Sequence, residues 1–167
     1  LARWGSVDVL DGGRLRPDID TPMYKINREN DVLLLGEGAA RQPNSDRLRT
    51  WEVAGTSHVG FVGFGNRVAV TTRDGLPVPN ASVCDRPALS HVPTAKVLNA
   101  AYEHLVRWIA DGTPPPTAPR IELVSNTVAQ RDAFGSALGG IRLAEHAVPI
   151  AVNDGVNSGP GFCFLYG

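Results

Sequence analysis

The chain has 167 residues, enough for one domain with a proper hydrophobic core and too few for two of ordinary size. Its 16 basic and 17 acidic residues are interspersed and leave a net charge of -1, so no basic stripe invites a phosphate backbone, and nucleic acid is not an expected partner. The hydrophobic fraction of 43% argues against disorder, and the longest aliphatic run, Val32 to Leu35, is far short of the roughly 20 residues of a membrane-spanning helix, so no membrane span is expected.

The 18 glycines and 13 prolines exceed the usual combined share of roughly 12% and foretell long ordered loops. Residues 1–30 mix turn residues with short apolar pieces and read as a connecting segment. Position 1 is leucine, and no signal-peptide pattern opens the chain. Asp31-Val32-Leu33-Leu34-Leu35-Gly36 follows, a short apolar run stopped by glycine that suits a strand buried on both faces, residues 32–36. After the polar turn EGAARQPNSDRLR, residues Trp51 to Ala54 end at Gly55 and read as a second strand. Residues 60–93 show no sustained period and read as loop with short extended pieces. The one clear helix is TAKVLNAAYEHLVRWIADG, with Thr94 as N-cap and Gly112 followed by Pro114-Pro115-Pro116 as a hard stop. Its apolar face carries Val97, Leu98, Ala101, Leu105, Trp108 and Ile109. Beyond it, PRIELV and HAVPIAV are candidate strands or extended segments.

The stretch RTWEVAGTSHVGFVG carries a serine beside a histidine. Gly55-Thr56-Ser57-His58 resembles the start of a G-x-S-x-G nucleophile elbow, but that motif needs a small residue where Val59 stands, and a helix after it that VGFVGFGN poorly supports. Ser57 is therefore read as a turn residue. His58, in a turn of small residues after a strand, is the candidate general base. Glu37, after the preceding strand, is the candidate acid: two adjacent parallel strands, each delivering a side chain from its C-terminal end, would set a carboxylate beside an imidazole. Asp31 and Asp46 are rivals, Asp31 at the wrong end of its strand and Asp46 in the polar turn. His58, His91, His104 and His146 show no metal-ligand spacing, so no metal site is expected. Cys84 and Cys163, without CxxC spacing, are either a disulfide or two buried thiols. Asn80-Ala81-Ser82 matches a glycosylation sequon of a kind frequent by chance.

In order along the chain, ARQPNSDRLRTWEVAGTSHV, HVPTAKVLNAAYEHLVRWIADGTPPPTAPRI, RDAFGSALGGIRL and FCFLYG resemble the C-terminal portion of a bacterial family of α/β-hydrolase-domain proteins, from about residue 31 onward. The resemblance implies an α/β fold class, the C-terminal part of an α/β-hydrolase fold with a core sheet flanked by helix and long ordered loops. It also implies hydrolysis of esters or related acyl bonds, with His58 matching the histidine after the last core strand and Glu37 the acid after the preceding one. The family's turn tends to carry two acids where this chain reads Glu37-Gly38-Ala39, and Ser136 stands where asparagine is expected. The nucleophile elbow belongs upstream in such a fold. The expected partners are therefore a small ester-like substrate and a missing N-terminal part of the same protein, and the chain alone is expected to be inactive and poorly soluble. The competing expectation is a non-catalytic binding or structural domain derived from a hydrolase.

Overall fold

The computed structural model describes residues 14–167. Its centre is a pair of parallel strands, β1 (Met23–Arg28) and β2 (Leu48–Val53), in continuous register from Met23 opposite Leu48 to Arg28 opposite Val53. Between them run a short helix, α1 (Glu29–Leu34), and a loop.

This corrects the first expected strand. The run Val32-Leu33-Leu34-Leu35 lies in and just after α1, and the strand is the preceding Met23–Arg28, inside the stretch read as a connecting segment; the first 13 residues of that stretch lie outside the described residues. A short apolar run cannot distinguish strand from buried helix. Here the acidic first turn decides for helix: the Asp31 carboxylate accepts the Arg28 backbone N–H (2.8 Å), the reach-back half of a capping box.

The second expected strand is present and longer, and β2 is buried on both faces. Side chains alternate across a strand. Trp51 and Val53 pack against Val97 and Ala101 of the long helix α3 (Thr94–Asp111), and Arg49 lies over the Trp108 ring, 5.8 Å from its centroid. On the opposite face the Glu52 carboxylate is fully buried. Arg41 binds it through two nitrogens (3.0 and 2.6 Å), and Arg120 (3.1 Å) and the Ile121 N–H (2.8 Å) also donate to it.

Helix α3 lies where its periodicity puts it, with Pro93 rather than Thr94 at the cap position and Gly112 ending it at φ +75°, but Ile109, expected on its apolar face, is exposed because it lies roughly 100° round the helix from the buried Trp108. Residues 60–93 are less irregular than expected, since Phe61–Arg73 form helix α2. No residue of α2 is buried, so no apolar stripe marks it as a helix, and Gly63 and Gly65 argue against a helix by about 1 kcal/mol each. The anchor is tertiary: Phe64 meets the Tyr166 ring edge-on at 5.3 Å, and the Phe61 N–H donates to Ser90 O. Strands β3 (Leu123–Ser125) and β4 (Val128–Ala129) form a small antiparallel pair that overlaps the end of PRIELV. HAVPIAV is no strand: it begins in a single helical turn, α4 (Ala144–Ala147), and continues as a loop. Cys84 and Cys163 form a disulfide, the first of the two open alternatives.

Candidate active site

The parallel register brings the ends of β1 and β2 to the same edge of the sheet, and the chain after each strand is tied to the chain after the other. Glu29 N–H donates to Thr56 Oγ1 (3.3 Å), Asn30 N–H to Thr56 O (3.1 Å), and Gly55 N–H to the Glu29 carboxylate (2.7 Å). Glu29 is fully buried, and its second oxygen accepts from Arg131 (2.7 Å). Burial raises its pKa, opposed chiefly by the Arg131 charge.

The fourth tie is chemical. His58 Nδ1 lies 2.8 Å from Asp31 Oδ1. The Asp31 carboxyl is 11% exposed and also holds the Arg28 N–H, whereas the imidazole is 41% exposed. With the carboxylate accepting from Nδ1–H, Nε2 is the basic nitrogen left for a reacting group. His58 borders a pocket of about 220 Å³ with Arg28, Phe61, Val62, Pro93 and Leu98, and His91 stacks on Phe61 at a ring separation of 4.1 Å. A larger depression of about 770 Å³ shares Ser90 and His91 with this pocket but is not bordered by His58, so the smaller one is the candidate site.

Glu37 is not the carboxylate at His58. It pairs with Lys25 and accepts from Asn27 (3.3 Å), placing it on the side chains of β1 instead. The expected geometry of two parallel strands delivering an acid and a histidine is present, but β1 ends at Arg28, so the acid beyond it is Asp31. The signal for Asp31 lay in the residue pattern MYKINR before it, a strand too polar to stand out.

Ser57 is 1% exposed and donates to Gly167 O (2.9 Å). It is a turn residue as expected, although for a different reason: a helix does begin nearby, at Phe61, and the hydroxyl is committed elsewhere. Among the described residues no serine hydroxyl is hydrogen-bonded to His58, and no group of three His, Cys, Asp or Glu residues is arranged to hold a metal ion. Nor is any described helix long and apolar enough to cross a membrane.

A parallel strand pair backed by a helix, with a carboxylate and an imidazole hydrogen-bonded beyond adjacent strand ends, is an arrangement suited to hydrolase chemistry. The alpha/beta hydrolase domain family matches residues 5–167, and the chain belongs to that family. No curated protein and no solved structure matches it.

Proposed function

We propose that the chain supplies the base and the acid of a serine hydrolase acting on ester or related acyl bonds. His58 removes the proton of a serine and returns it to the leaving group, while Asp31 holds the imidazole in the tautomer with Nε2 free and stabilises the imidazolium formed. The observation that carries the reading is the 2.8 Å Asp31–His58 contact with the imidazole bordering an open pocket. The serine and the oxyanion-hole donors come from a part of the protein outside these 167 residues, the chain being the C-terminal portion of the hydrolase fold. The apolar wall of Phe61, Val62, Pro93 and Leu98 suits the acyl or alcohol group of a small ester, and the mechanism requires no cofactor.

The full-length protein should hydrolyse short p-nitrophenyl esters and be labelled by a fluorophosphonate. His58→Ala should lower kcat by about 10³-fold or more. Undiminished turnover in that variant would overturn the assignment and favour a binding domain in which His58 is a turn residue.

A further inference from the structure

The neighbours of both members of the pair end on one short piece of chain. Ser57, just before His58, donates through Oγ to Gly167 O (2.9 Å), and Val59, just after it, donates its N–H to Leu165 O (2.8 Å). Asn30, just before Asp31, donates through Nδ2 to Phe164 O (2.7 Å) and to Gly155 O (2.9 Å). A parallel bridge joins Val59 to Tyr166, and Ser90, which borders the pocket, donates its N–H to Gly167 O. Residues 164–167 thus hold the backbone or a side chain on three sides of the histidine–carboxylate contact.

That piece packs in a hydrophobic cluster with Val59, Ala81 and Leu89, through Leu165 and the buried Tyr166. A short 3-10 turn, Cys163–Leu165, leads into it, the Tyr166 ring meets Phe64, and Cys163 is bonded to Cys84 on the loop after α2. Both cysteines are buried, and the bond joins positions 79 residues apart. The disulfide ties this piece to the loop after α2, whereas the preceding chain leading back toward the sheet, residues 144–162, carries a single helical turn, α4.

We propose that residues 162–167 are a positioning strap for the Asp31–His58 pair, that Ser57 and Asn30 are its positioning residues, and that the Cys84–Cys163 disulfide makes the geometry of the site depend on oxidation. The inference rests on His58 acting as the base. Ser57 is sealed from water and its hydroxyl donates to Gly167 O, so losing the strap leaves that buried hydroxyl without this partner and frees the turn that aims the imidazole. A displacement of about 1 Å at a reacting group costs on the order of 10²-fold in rate. The site would then be competent where disulfides form and persist, and relaxed where thiols are kept reduced.

The test uses the full-length protein, p-nitrophenyl butyrate as substrate, and the low-field NMR resonance of the His58 Nδ1 proton. Ser57→Ala, with the disulfide intact, should lower kcat by about 10-fold with KM changed less than about 2-fold, and should broaden that resonance. Reduction with dithiothreitol, and the paired Cys84→Ser and Cys163→Ser variant, should do the same, and reoxidation of the wild type should restore both readouts. Unchanged kcat and a sharp resonance in Ser57→Ala overturn the proposal, as does a folded reduced protein with both intact. If reduction unfolds the protein, the oxidised Ser57→Ala variant decides alone. If the wild type hydrolyses no ester, the catalytic reading fails, and the resonance still shows whether the strap sets the Asp31–His58 contact.

Discussion

Asp31 serves the fold and the proposed chemistry with one carboxylate. Oδ2 accepts the Arg28 N–H at the start of α1, and Oδ1 faces His58 Nδ1, so the group that caps the helix also orients the imidazole. The Arg28 guanidinium lies 4.0 Å away and adds positive charge on the same side. An amide in place of the carboxylate keeps the shape but loses the charge that stabilises the imidazolium and can present an N–H to Nδ1. On the proposed function, Asp31→Asn should therefore lower kcat by about 10³- to 10⁴-fold with little change in KM, as steady-state hydrolysis would show. Glu37→Gln, whose side chain pairs with Lys25 and accepts from Asn27, should leave kcat within about 2-fold, because a partly exposed ion pair of this kind contributes on the order of 1 kcal/mol or less to stability and nothing to the reacting atoms. The opposite ranking would return the acid's role to Glu37.

At the scale of elements, the turn after β2 is governed by Gly55. Its φ of +71° lies in the left-handed region, and a Cβ there would overlap Nδ1 of the fully buried His146, whose Nε2 is fixed on Ala137 O (3.0 Å). Gly55→Ala should cost about 3 kcal/mol, the conformational penalty plus displacement of a buried ring, read from chemical denaturation. The sequence showed the elements whose signals are local. Helix α3 carries an apolar stripe and a glycine stop, and β2 a compact apolar piece before Gly55, which is why His58 could be picked out as the residue beyond a strand. Strand β1 could not be seen: MYKINR alternates weakly, while the stronger hydrophobic run beside it belongs to α1. Misplacing that strand displaced the expected acid from Asp31 to Glu37. Helix α2 was hidden because its support comes from Phe64 on Tyr166, a contact between residues about a hundred positions apart that no local pattern records.

For the whole molecule, apolar surface is left open on one side. Tyr102, Val106 and Ile109 on the outer side of α3 are each about two-thirds exposed, and among the described residues β1 pairs on one edge only, with β2. A helix apolar on two sides beside an unpaired strand edge is a surface prone to association. The isolated 167-residue chain should therefore elute as oligomers or aggregate in size-exclusion chromatography with light scattering, and replacing Tyr102, Val106 and Ile109 with lysine should shift it toward monomer. A monodisperse wild-type chain would contradict this. The buried ion cluster around Glu52 has a different consequence. Because β2 is covered on both faces, hydrophobicity does not tell one face from the other, and a slip of one residue would exchange them. The slip would turn Glu52 toward Val97 and Ala101 and Arg49 toward Arg41 and Arg120, leaving an acid in an oily layer and three like charges together. Charge thus acts as a key that admits one alignment of the two strands, and since Asp31 and His58 follow those strands at fixed offsets, an ion cluster on the far face determines whether the two meet at all.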